Sequence, residues 1–168
     1  MDAVNEAAFA EFVRTRWRDL VRAAIFLGAP PHEAEDLAQQ TMVRCFSAWE
    51  RVQAANNTEA YVYRMLLNQL RDARRTRWWR GRVDIEQDVT VVDGTEQHAL
   101  SDAVDRALGG LSKDHREVVV LRYFVQLTEA QTASALGIAR GTVKSRLSRS
   151  LAHLATSEHL IDLSREPR

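Results

Sequence analysis

The sequence predicts an all-α protein built as two small helical domains joined by a flexible acidic linker. Three observations carry that expectation. Apolar residues recur every three or four positions through most of the chain, the period of an amphipathic helix and not of a strand. Only 7 Gly and 3 Pro interrupt 168 residues, of which 45% are hydrophobic and 27% charged, so the chain can bury a core and has few breakers. The net charge is zero, yet it is sharply segregated. Residues 71–82 hold Arg71, Arg74, Arg75, Arg77, Arg80 and Arg82 against Asp72 alone, and residues 139–157 hold Arg140, Lys144, Arg146 and Arg149 with no acid. Between them, residues 83–105 carry Asp84, Glu86, Asp88, Asp93, Glu96, Asp102 and Asp105 with no Lys or Arg. Two basic surfaces separated by an acidic stretch are therefore expected.

The first helix is marked by Phe9, Val13, Trp17, Leu20, Ala24 and Leu27 on one face. Gly28 and Pro30-Pro31 stop it and start a second, because Pro cannot continue a helix but fits its first turn. Glu33 and Glu35 suit the new N-terminus, and Ala34, Ala38, Met42, Cys45 and Trp49 carry the period to about residue 50. Asn56 and Asn57, with Glu59 behind them, offer an N-cap for a helix over about 58–78. It should turn Val62, Met65, Leu66 and Leu70 inward, with Tyr61, Tyr63, Asn68 and the arginines on other faces. Residues 83–97 have no sustained period and read as linker, with a small allowance for a strand at Val89 to Val92.

Beyond the linker, Leu100, Val104, Leu108 and Leu111 mark a helix ended by Gly109-Gly110. Ser112 can cap the next one, which contains Val118, Val119, Leu121 and Phe124. Thr128 followed by Gln131 is a capping box, and Ala133, Leu136, Gly137, Ile138 and Val143 have the small, apolar, glycine, apolar, apolar order of a helix-turn-helix. Its second helix, from about Arg140, exposes Arg140, Thr142, Lys144, Ser145, Ser148 and Arg149, side chains able to bond phosphates or base edges in a major groove. A charged helix alone is as often a solvated face; the capped helix and glycine turn before it make the pattern more specific.

Other classes of function find little support. One cysteine, Cys45, cannot form an internal disulfide, and the five histidines make no zinc spacing, so no metal or cofactor is expected. No nucleophile-base pairing or glycine-rich phosphate loop suggests an enzyme; His115 and His153 read as helix-surface residues. No apolar run approaches a membrane span and the N-terminus lacks the order of a secretory signal, so a cytoplasmic protein without membrane insertion is expected.

Gly141-Thr142-Val143-Lys144-Ser145-Arg146 resembles the signature of region 4 in the extracytoplasmic-function sigma factors of the sigma-70 family, and Leu121-Arg122-Tyr123-Phe124 fits the segment before it. Glu35-Asp36-Leu37-Ala38-Gln39 with Phe46 and Trp49 resembles region 2.2, and Glu59-Ala60-Tyr61-Val62-Tyr63-Arg64 through Asn68 with Arg74-Arg75 resembles regions 2.3 and 2.4. Trp78-Trp79 and the Leu121 to Phe124 block look like the actinobacterial SigE-like subgroup. The departures are Thr132, where the family usually has an apolar residue, and Gln40 and Met42 in region 2.2.

The resemblance implies region 2 over 1–82, a linker over 83–97, region 4 over 98–157 and a tail over 158–168. It implies that Asp36, Gln39, Gln40 and Arg44 dock on the clamp helices of the largest subunit of core RNA polymerase, with the flap region as a further contact. Trp49, Met42 and Cys45 are better read as core. The loop from about Arg51 to Thr58, with Asn68, would hold a flipped base of the −10 element of promoter DNA, and Tyr61, Arg64, Arg71, Arg74 and Arg75 would lie on adjoining DNA. Arg140, Thr142, Lys144, Ser145, Ser148 and Arg149 would read the −35 element as duplex, while Arg146 could instead pack or pair within its domain. In related proteins the acidic linker threads channels that otherwise hold nucleic acid, although a merely solvated linker would look the same. Many relatives are held by an anti-sigma factor. The alternative is a helix-turn-helix repressor or activator acting without core polymerase, which leaves the region 2 resemblance unexplained.

Overall fold

The computed structural model describes residues 3–79 and 96–157, and within them it is helical with no strand. The N-terminal half contains α1 (Ala3–Phe26), α2 (Pro31–Ser47), α3 (Trp49–Ala54) and α4 (Thr58–Trp79). The C-terminal half contains α5 (Glu96–Gly109), α6 (Lys113–Val119), a π-helical turn (Val120–Phe124), α7 (Glu129–Leu136) and α8 (Arg140–Ala155). The expected strand at Val89 to Val92, most of the linker and the tail over 158–168 lie outside the described residues.

Most of the predicted stops and starts act as their chemistry requires. Gly28 leaves α1 at φ +94, a conformation only glycine adopts freely, and Pro31 is the first residue of α2. Asn57, not Asn56, caps α4: its Oδ1 accepts the Ala60 N–H at 2.6 Å. One break was not expected. The period read as one helix to residue 50 is interrupted at Ala48 (φ −122, ψ 24), and α3 starts at Trp49. The segment over 51–58, expected as a loop, is consequently the end of α3, a short connection over 55–57 and the first residue of α4. Ser112 precedes α6 but makes no side-chain cap; its hydroxyl lies 3.0 Å from His115 Nδ1.

Leu20, Ala24 and Leu27 of the α1 stripe are buried, while Phe9, Val13 and Trp17 are half-buried. Phe9 and Phe12 meet Trp49 with ring centroids 5.1 and 5.3 Å apart, so the short α3 is anchored on α1. From α4 come Val62, Leu66, Leu67 and Leu70, and also Tyr63, which is 4% exposed. Its expected place on an outer face is thus corrected: it lies four residues before Leu67 and seven before Leu70, on the inward stripe.

The halves do not stand apart. α4 packs on α7, and α1 on α5 and the π turn. Leu108, Val119, Val120, Leu121, Leu127 and Ala135 share one continuous core with α1, α2 and α4. Burying a side chain of this size contributes roughly 1.5–3 kcal/mol, so the shared core holds the halves together appreciably. A separate small cluster of Val118, Ala133 and Val143, flanked by Leu136, Ile138 and Leu147, braces α6, α7 and α8 against one another.

Candidate nucleic-acid interface

α4 presents one long polar stripe. Tyr61, Arg64, Asn68, Arg71 and Arg75 are spaced three, four, three and four residues apart, so the helical period alone brings all five to one face. Arg64, Asn68 and Arg75 are exposed; Tyr61 and Arg71 are half-buried. Arg74, one position off the stripe, is turned back, and its Nη2 donates to the Leu27 carbonyl at the end of α1 at 2.6 Å. The arginines also have local partners. Arg71 pairs with Glu117 of α6 at 2.9 Å, Arg75 with Asp72 at 2.9 Å, and Arg77 with Glu33 in the first turn of α2.

α8 is the second basic face. Thr128 and Gln131 form the full capping box, with bonds of 3.2 and 2.7 Å that start α7. Gly137 takes the left-handed conformation (φ 67, ψ 36) that turns the chain toward α8. Val143 and Ser150 face inward, which leaves Arg140, Lys144, Ser145, Ser148 and Arg149 exposed and Thr142 half-buried. Arg146 pairs within its own half, meeting Asp114 at 2.8 Å. Thr132 of α7 is fully buried and its hydroxyl has no hydrogen-bond partner, a local cost where an apolar residue would have none.

On α2, Asp36, Gln39, Gln40 and Arg44 are all exposed, whereas Met42, Cys45 and Trp49 are buried as expected. Burial pushes the Cys45 thiol up to about 11. Two apolar residues join the exposed surface without having been singled out for it: Val43 is 59% and Phe46 48% exposed. The outer face of α2 is thus mixed polar and apolar.

Sequence reasoning missed a junction between the halves. At the C-terminus of α1, the Arg116 guanidinium of α6 donates to the Phe26 and Ile25 carbonyls and pairs with Asp105 of α5 at 2.6 Å. Burial raises the Asp105 carboxyl and lowers Arg116, with the charge of Arg74 adding to the latter, so neither charge is at ease there. Asp105, counted with the acidic stretch, is therefore part of a packed helix, as Glu96 and Asp102 are part of α5. Beside it Glu117 is 3% exposed, and only one of its carboxylate oxygens is bonded. Its position four residues before buried Leu121 was the available signal.

The two basic helices fall within two known sequence families. Residues 12–80 match Sigma-70 region 2, and residues 101–154 match Sigma-70, region 4. The RNA polymerase sigma-E factor of Streptomyces avermitilis is 41% identical over 87% of this chain and 82% of its own length. The chain belongs to the extracytoplasmic-function branch of the sigma-70 family. A further relative, the ECF RNA polymerase sigma factor SigL of Mycobacterium tuberculosis, is 31% identical over 86% of this chain and 83% of that protein. Among solved structures, the sigma factor RpoE in complex with the anti-sigma factor NepR from Bartonella quintana matches with a TM-score of 0.79 at 27% identity, covering 91% of this chain and 96% of that one. CnrH in complex with the cytosolic domain of CnrY matches with a TM-score of 0.71 at 25% identity, covering 94% and 90%. As a sigma factor, the protein is a regulatory protein of transcription initiation.

Proposed function

We propose a division of labour among three helices of this sigma factor. α2 docks on core RNA polymerase through Asp36, Gln39, Gln40 and Arg44, with Val43 and Phe46 supplying apolar contact to the clamp helices. α4 takes the −10 element as a strand that has left the duplex. Arg64, Arg71 and Arg75 track phosphates and Asn68 offers a base edge its amide, with Tyr61 beside them. Arg74 is assigned to adjoining DNA by the family resemblance, and reaching it requires that its Nη2 leave the Leu27 carbonyl. α8 reads the −35 element as duplex through Arg140, Thr142, Lys144, Ser145, Ser148 and Arg149. The functional units are region 2 over 1–82 and region 4 over 98–157, joined over 83–97 and followed by a tail over 158–168, with the flap region of polymerase near the second. The reading rests on one observation above others: the five α4 residues form a single unbroken stripe.

Partners of this chain are core polymerase, promoter DNA and an anti-sigma protein, the last supported by the complex in which RpoE of Bartonella quintana was solved. The protein acts in the cytoplasm and is not an enzyme. Among the described residues no helix is long and apolar enough to cross a membrane.

The division is tested by substituting Asp36 and Gln39 with Ala. Affinity for purified core polymerase should fall about tenfold, while the C-terminal half of the intact variant retains its affinity for duplex −35 DNA. Unchanged core binding would remove α2 from the docking face.

A further inference from the structure

The π turn brings aromatic surface to α1 at residues that none of the roles proposed above uses. π-helical turns are rare and concentrate at functional sites. The exit of this one is tightly made. Gln126 takes the left-handed conformation (φ 62), uncommon for a residue with a side chain, and the Arg122 guanidinium donates to the Leu127 carbonyl. Phe124 reaches Phe26 of α1, with ring centroids 4.4 Å apart. Between the two elements lies a cavity of about 80 Å³, lined by Asp19, Arg22, Ala23, Phe26, Phe124 and Val125. Ala23 and Phe26 are buried and give it an apolar floor, while Asp19 and Arg22 are exposed at its rim.

Those two charges stand one turn apart on α1, yet no ion pair joins them among the described residues. Glu11 and Arg14 of the same helix and Asp72 and Arg75 of α4 have the same spacing and do pair. Arg22 differs because its guanidinium lies over the Phe26 ring, 6.0 Å from the centroid. Arg16, the cation one turn before Asp19, is engaged by Glu59 of α4. A carboxylate and a guanidinium are thus held side by side above an apolar hollow, each without an ionic partner among the described residues.

We propose that this hollow binds a free α-amino acid with a short aliphatic side chain. Its carboxylate would meet Arg22, its ammonium Asp19, and its side chain the space between Phe26, Phe124 and Val125. A small zwitterion satisfies both rim charges at once, whereas a residue inside a polypeptide carries neither charge on its backbone. Size selects the side chain. A cavity of about 150 Å³ takes a benzene ring, so about half that space suits three or four carbons and not an aromatic ring. The apolar contact supplies affinity and the two charges fix orientation, the usual division in a small-molecule site.

The test is methyl NMR on the full chain, labelled at its alanine and valine methyl groups and titrated with L-leucine. The resonances of Ala23 on α1 and of Val125 after the π turn should both shift and should saturate at millimolar ligand. Isocaproate lacks the ammonium, isoamylamine lacks the carboxylate, and L-phenylalanine exceeds the space. Each should bind at least about tenfold more weakly than L-leucine. Asp19→Asn and Arg22→Gln each remove one charge from an exposed side chain and should weaken L-leucine about tenfold. Binding of duplex DNA, which rests on α8, should stay as in the parent and shows that both variants fold. Absence of a saturable shift at Ala23 and Val125 would overturn the site. Shifts that isocaproate or isoamylamine produces equally well, or that survive either substitution at full affinity, would overturn the zwitterion as its ligand, and equal binding of L-phenylalanine would overturn the choice of side chain.

Discussion

α4 and α8 are both arginine-bearing helices of similar amphipathic design, yet their cations are in opposite situations. Along α4, Arg71, Arg74, Arg75 and Arg77 each have a partner within the molecule: Glu117 of α6, the Leu27 carbonyl just past α1, Asp72 of the same helix and Glu33 of α2 respectively. Among the described residues, the one ion pair along α8 is that of Arg146, and none holds Arg140, Lys144 or Arg149. A solvated cation can exchange its counterions for phosphates at once, whereas a paired one must first give up its carboxylate or carbonyl. The difference matches what each helix is proposed to bind. Duplex DNA is present before initiation begins, but a melted strand exists only after polymerase has been engaged.

This contrast can be broken most directly at α8. Replacing Lys144 and Arg149 with Ala should weaken binding to duplex −35 DNA by about 2 kcal/mol, or roughly thirtyfold, and flatten its salt dependence. Core binding in a pull-down should be unaffected. Equal loss of both would mean that α8 is not a separate reading head.

A smaller effect is expected inside the helix-turn-helix. Thr132→Val removes a buried hydroxyl that has no partner and keeps the shape of the side chain. Stability should rise by about 1 kcal/mol, read as an upward shift in Tm, with −35 affinity unchanged. A lower Tm would show that the hydroxyl has a role in the native state.

The smallest effect should come from Arg146→Ala. Its partner Asp114 is 57% exposed, and an ion pair open to solvent contributes about 1 kcal/mol or less. Duplex affinity measured by fluorescence anisotropy should stay within about twofold, since this cation is turned toward α6 and not outward. A loss as large as that of Lys144 and Arg149 together would place it among the DNA contacts after all.

Much of this organisation was legible in the sequence because it follows from local rules. The capping box at Thr128 and Gln131, the glycine turn at Gly137 and the stripe on α4 each depend on residues within a turn or two of one another. What local rules could not reach was the junction of Arg116, Glu117 and Arg71, whose members are far apart in sequence and whose burial depends on how two helical groups pack. Tyr63 shows a subtler limit. Its phenol made it look amphipathic, but with Ala60, Leu67 and Leu70 beside it along the helix it completes a broad apolar face, and burial raises its phenol well above the usual range. The end of α2 at Ala48 carries no proline or glycine to announce it.

The most direct test of the account is reconstitution with purified bacterial core RNA polymerase, followed by sequencing of the transcripts made from a library of genomic promoter fragments. The account predicts transcripts that depend on this protein and share paired −35 and −10 motifs, with an Arg64→Ala and Asn68→Ala variant still bound to core but unable to open them. Failure to bind core, together with tight binding of duplex DNA by the protein alone, would contradict it.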